Sequence, residues 1–124
     1  MSINEVNVLV LAYLGDTIYE DYIRKFLINK GLNKVNDLQK EASNYVSAKN
    51  QANFLKNMID NEIFNEEELS VIRRARNNKS NSHPKNCDIV TYKHATALEA
   101  VIGYLELKNN KSRIDEIMKN ILGE

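Results

Sequence analysis

Apolar residues near the start of the chain recur at three- and four-residue intervals. Val6, Leu9, Val10, Tyr13, Leu14, Ile18, Tyr22, Phe26 and Leu27 mark one face of a helix over residues 5–29. Gly31, in "NKGLNKVND", supplies its C-terminal cap. Asp37, or Asn36 before it, caps a second helix through about Lys49, and "SAKNQANFLKNMID" continues as a third. Asn65 caps a fourth, with Glu66, Glu67 and Glu68 in its first turn where the helix dipole favours acids, ending near Arg76. The polar stretch "NNKSNSHPKNCDIV", broken by Pro84, reads as a loop. Helices over Thr91–Leu107 and Ser112–Leu122 follow. Almost every segment is therefore helical, and no linker or repeat divides the chain. The expectation is an all-α helical bundle forming one domain over residues 1–124.

Two positions break this pattern. "LAYLGDTIYEDYIRKFLI" sets Gly15 and Asp16 inside an apolar helix, and "HATALEAVIGYLEL" sets Glu99 and Gly103 inside another. Residues seven apart on a helix differ by only about 20°, so Asp16 shares a face with Leu9, beside Ala12, Tyr13 and Glu20. Glu99 projects with Tyr92, Ala95, Thr96, Ile102 and Glu106. Both acids are thus expected to face packed surface, where an unpaired carboxylate is costly. A mid-helix glycine costs about 1 kcal/mol against alanine. Two helices crossing closely at Gly15 and Gly103 would bring the two acids together. Such a pair suits Mg²⁺, which takes one or two protein carboxylates and keeps several waters. The alternative is an ordinary ion pair, for instance Asp16 with Arg24. Asp21 is expected to face water and pair with Lys25.

Composition narrows the chemistry. With 43% apolar and 27% charged residues, the chain has the make-up of a globular protein. No run of about 18 apolar residues is available to span a membrane, and no basic segment precedes the first apolar stretch, so the cytoplasm is the expected compartment. The single cysteine, Cys87, excludes an internal disulfide and a thiolate-rich zinc site. His83 and His94 lack paired-ligand spacing and read as surface or capping residues. No glycine-rich loop ending in Lys-Ser/Thr exists, which excludes a P-loop enzyme. The net charge is zero, yet residues 70–87 contain no acid and hold Arg73, Arg74, Arg76, Lys79 and Lys85. A neutral total therefore conceals a basic patch suited to phosphate. The competing explanation is dipole compensation at a helix C-terminus.

"YLGDTIYE" resembles the first acidic signature of the ribonuclease III family, and "ALEAVIGYLEL" resembles its second. The likeness is greatest to the mini-ribonuclease III branch, which has the nuclease domain without a double-stranded-RNA-binding domain. It extends through "DLQKEASNYVSAKNQA" and the basic loop, over nearly the whole chain. Of the four family acids, Asp16 and Glu99 match two; Ala12 and Thr96 stand at the other two positions, as in the mini branch.

The resemblance implies a cytoplasmic, Mg²⁺-dependent endoribonuclease (Mn²⁺ substituting), in which Asp16 and Glu99 are catalytic and hold the metal. Glu20 and Glu106 are assigned at most an outer role around it. The implied partners are double-stranded RNA, namely the 23S (large-subunit) ribosomal RNA precursor whose ends are matured, and a second copy of the chain. A ribosomal protein that presents the substrate is a further candidate partner, and no membrane is involved. Arg76, Lys79 and Lys85 are assigned to RNA phosphates, and Asn77, Asn78, Ser80, Asn81 and Ser82 to neutral groove contacts. Lys49 is a weaker candidate. Tyr13 falls where the family has an aromatic at the dimer interface; a core aromatic is the alternative. The rival function is a non-catalytic RNA-binding or ribosome-assembly module on the same scaffold. A second is an unrelated carboxylate-metal nucleotide hydrolase, for which only the Glu66–Glu68 run comes near the usual spacings.

Overall fold

The computed structural model describes residues 2–80 and 82–124. Its α-helices are α1 (Val8–Asn29), α2 (Val35–Val46), α3 (Ala48–Asp60), α4 (Glu66–Arg76), α5 (Ile89–Leu107) and α6 (Lys111–Leu122), after a short 3₁₀ turn at Ile3–Glu5. No strand occurs among the described residues.

Helix α5 is the axis of the bundle. It is apolar nearly all round, so it gains most by being surrounded. Its residues from Ala95 to Leu105 are buried except Glu99, and α1, α3, α4 and α6 all pack against it. Helix α2 lies at the margin, touching only α1 and α3 extensively, with no fully buried residue. An aromatic chain secures it: the Phe26 ring meets Tyr45 edge-on at 5.9 Å, and Tyr45 stacks on Phe54 at 6.2 Å. The buried Tyr19 hydroxyl donates to the Tyr45 carbonyl at 2.6 Å, satisfying one of the last acceptors of α2.

Several helix ends differ from the sequence expectation. Helix α1 starts at Val8, where the Asn7 side chain accepts from the Leu9 amide. Neither Asn36 nor Asp37 caps α2; Lys34 precedes it without a side-chain cap, and Asp37 lies inside its first turn. That helix stops at Val46 rather than Lys49, because Ser47 turns extended and caps α3 through the Asn50 amide. Helix α5 begins at Ile89 under an Asp88 cap, and α6 at Lys111 under Asn110. Gly31, at φ 99°, follows the C-cap residue Lys30 of α1 in the conformation that favours glycine.

The acidic start of α4 is not a solvated run. Glu68 is 1% exposed. Its Oε1 accepts from the Asn65 amide at 3.0 Å while Asn65 caps the Glu68 amide at 2.8 Å, a reciprocal capping box. Arg113 of α6 then grips both Glu68 oxygens at 2.8 Å each and donates to the Ile63 carbonyl at 2.6 Å. This bidentate pair ties α6 to the α3–α4 corner.

Candidate active site

Helices α1 and α5 meet backbone to backbone. A Cβ built on Gly15 would overlap the Glu99 carbonyl oxygen and lie 2.9 Å from the Gly103 nitrogen. A Cβ on Gly103 would overlap the Leu11 carbonyl. Only glycine at both positions permits this approach. Asp16 follows Gly15 and Glu99 precedes Gly103 by one turn, so the crossing brings the two carboxyl groups within hydrogen-bonding reach.

Their environments differ. Glu99 is half-buried, whereas Asp16 is exposed, contrary to the expectation that both face packed surface. Asp16 lies beside the crossing at the wall of a cleft, open to solvent. Burial, and next the adjacent Asp16 carboxyl, push the Glu99 pKa up to about 9, against a partial opposing effect from Gln51. Two carboxylates so placed repel, and a shared proton or a hard cation relieves them. No salt bridge engages Asp16 among the described residues; Arg24 pairs with Glu20 at 3.2 Å and Lys25 with Asp21 at 2.9 Å.

Both carboxylates line an open cleft of about 370 Å³, with Leu9, Ala12, Tyr13, Tyr92, Thr96, Ser80 and Ser82. The cleft leaves room for water beside the acids, which fits a cation that keeps most of its hydration shell. Ala12 and Thr96 are themselves buried, and no cluster of three or more His, Cys, Asp or Glu side chains with metal-holding geometry occurs among the described residues. Glu106 is exposed, away from the cleft lining, and Glu20 is engaged by Arg24.

Tyr13 is 81% exposed, which removes the core-aromatic alternative. Leu9 and Val10 are exposed beside it. Ser80 and Ser82 reach the cleft, while Arg76, Lys79 and Lys85 do not line it. Lys79 and Lys85 are exposed, Arg76 is half-buried, and none makes a side-chain hydrogen bond or ion pair among the described residues. Asn81 lies outside those residues. Arg74 is structural: its guanidinium donates to the Asn4 and Val6 carbonyls at 3.3 and 3.5 Å. Lys49 is exposed on a separate cleft between the α3 start and residues 84–91. His83 and His94 bond only to backbone carbonyls.

Two contributors were not singled out from the sequence. Lys93 donates to the Asn78 carbonyl at 2.6 Å, anchoring the loop after α4 to α5. Gln51, buried on α3, donates to Glu99 Oε2 at 3.5 Å. Its signal was there: a polar residue in the helical stripe that continues through Leu55 and Met58.

Residues 9–110 match the Ribonuclease III domain family. A Mini-ribonuclease 3 of Brevibacillus brevis is 53% identical over 116 residues, covering 94% of this chain and 85% of that protein. The Mini-ribonuclease 3 of Streptococcus pneumoniae is 41% identical over 118 residues, covering 95% and 92%. Among solved structures, the crystal structure of a Fusobacterium nucleatum protein matches with a TM-score of 0.85 and 36% identity, covering 98% of this chain and 95% of that one. Fold and family together define an endoribonuclease of the ribonuclease III type. Within the ribonuclease III family, the chain belongs to the Mini-ribonuclease 3 branch.

Proposed function

We propose that residues 1–124 act as one catalytic domain, a homodimeric, divalent-metal-dependent endoribonuclease that cuts double-stranded RNA in the bacterial cytoplasm. Its substrate is the 23S ribosomal RNA precursor, whose ends it matures; the rRNA assignment rests on the family alone. The observation that carries the activity is the convergence of Asp16 and Glu99 across the Gly15–Gly103 crossing, at the wall of an open cleft. Glu99 and Asp16 would hold Mg²⁺, with Mn²⁺ a substitute. When bound there, such an ion would supply electrostatic stabilisation of the attacked phosphate and ease deprotonation of water. The chain does the remaining work. The glycine crossing fixes the spacing of the carboxylates, and the Ser80 and Ser82 hydroxyls offer neutral contacts at the cleft rim. Arg76, Lys79 and Lys85 bind backbone phosphates flanking the cleft, which suits recognition of A-form RNA by shape. A ribosomal protein that presents the RNA is a further partner of this reading.

The test is incubation with long double-stranded RNA in Mg²⁺ or EDTA, beside Asp16→Asn and Glu99→Gln. Cutting in Mg²⁺ alone, lost in both variants with melting transitions retained, is the expected result. Binding without cutting in wild type and variants alike would instead support the assembly-module reading, which Ala12 and Thr96 in place of two family acids favour. Charge reversal at Lys79 and Lys85 together is expected to reduce the slope of log K against log salt by about 1–2. An unchanged slope would take these lysines out of the RNA interface.

A further inference from the structure

Glu99 is approached from α3 by a polar group that packing does not require. Gln51 is 4% exposed and continues the stripe of Leu55 and Met58, positions where this helix otherwise places apolar side chains. Its backbone is held in the first hydrogen-bonded turn, the amide donating to the Ser47 carbonyl at 2.9 Å while the Ser47 side chain caps Asn50 at 3.3 Å. The side chain therefore starts from a fixed point and extends its Nε2 to Glu99 Oε2. Burying an amide for packing alone would cost desolvation that leucine or methionine avoids.

The chemistry of the donor is specific. A lysine or arginine here would neutralise Glu99 and compete with any cation. A hydroxyl donor can rotate to accept instead. A primary amide donates without carrying charge, so it restrains the carboxyl group without adding a positive charge that would compete with a cation. We infer that Gln51 is a positioning residue: its Nε2 fixes the rotation of the Glu99 carboxylate, so that the remaining Glu99 lone pairs and those of Asp16 converge on one cation. The inference rests on the reading of Asp16 and Glu99 as the cation site. Partners that orient a ligating carboxylate typically influence metal affinity or activity by about 10- to 100-fold.

Calorimetric titration with Mn²⁺ alone, without RNA, separates the two claims. Wild type, Gln51→Met, Gln51→Asn and Asp16→Asn are compared. The methionine variant keeps the volume without a donor; the asparagine variant withdraws the amide by one methylene. Both Gln51 variants are expected to bind Mn²⁺ at least about 10-fold more weakly. In saturating Mg²⁺ they should show reduced kcat with KM for double-stranded RNA nearly unchanged, a split that simple loss of packing would not produce. Wild-type Mn²⁺ affinity and kcat in both variants, with binding lost in Asp16→Asn, would overturn the positioning role and leave the cation site standing. Undiminished Mn²⁺ binding in Asp16→Asn would bring down the site reading and this inference with it. Should Gln51→Met lack a melting transition, Gln51→Asn decides.

Discussion

At residue scale, the geometry of the candidate site depends on two absent side chains. Because a Cβ at Gly103 would overlap the Leu11 carbonyl, backbone rather than a flexible side chain must yield. Gly103→Ala is expected to destabilise the chain by about 3 kcal/mol or more, the upper part of the range for overpacking. Urea unfolding measures it, and a loss below about 0.5 kcal/mol would show that the helices are not in backbone contact. Glu99 makes a second prediction, with its sign set by burial. Folding raises its pKa from 4.5 to about 9, so between those values the folded chain retains a proton that the unfolded chain has released. Metal-free stability from this group is full below the lower value and is lost as pH rises through the upper one. In EDTA the wild-type Tm should fall from pH ~5 to pH ~8.5 by at least about 4 °C more than that of Glu99→Gln, the shift expected from about 1 kcal/mol in a chain of this size. Equal pH dependence in both proteins would mean that Glu99 does not titrate abnormally.

At the scale of elements, the Glu68–Arg113 pair joins helices that share little other contact. Arg113→Met leaves Glu68 buried without its cation and is expected to cost about 3–5 kcal/mol in urea unfolding. Adding Glu68→Met should restore part of that loss; no restoration would mean that Arg113 acts through its Ile63 contact instead. This pair also marks the limit of what the sequence disclosed. Periodicity revealed the six helices because each apolar stripe is local information, and the Gly-Asp and Glu…Gly segments revealed the crossing because glycine and acid oppose the pattern around them. Glu68 looked like its exposed neighbours Glu66 and Glu67, since its burial depends on an arginine 45 residues away. The exposure of Asp16 was likewise illegible, because helical spacing placed it on the packed face and only the tertiary arrangement opens it to the cleft. The end of α2 was missed for another reason. A helix through Lys49 satisfies the same apolar spacing, and only the extended backbone at Ser47 separates two helices there.

At the scale of the whole molecule, an exposed apolar patch adjoins the cleft. Tyr13 is 81% exposed and Leu9 and Val10 partly so, close together on one face of α1, with Leu9 and Tyr13 lining the cleft beside the two carboxylates. On the proposed homodimer reading, this exposed tyrosine among aliphatic side chains is the centre of the interface, a composition that interface centres favour. If a second copy covers this patch about a twofold axis, each tyrosine meets the same region of its partner, and both clefts open beside one shared seam. In that arrangement, a duplex lying along the seam would present one strand to each carboxylate pair. Tyr13→Glu places a like charge opposite itself in such an interface, so it should convert dimer to monomer at micromolar concentration in sedimentation velocity. Tyr13→Phe should remain dimeric. The glutamate variant should also lose coordinated double-strand cutting while Mn²⁺ binding at Asp16 and Glu99 persists, because the carboxylates belong to one chain. A Tyr13→Glu protein that sediments as wild type, or a wild type that is itself monomeric, would refute the twofold arrangement and require each cleft to engage RNA alone.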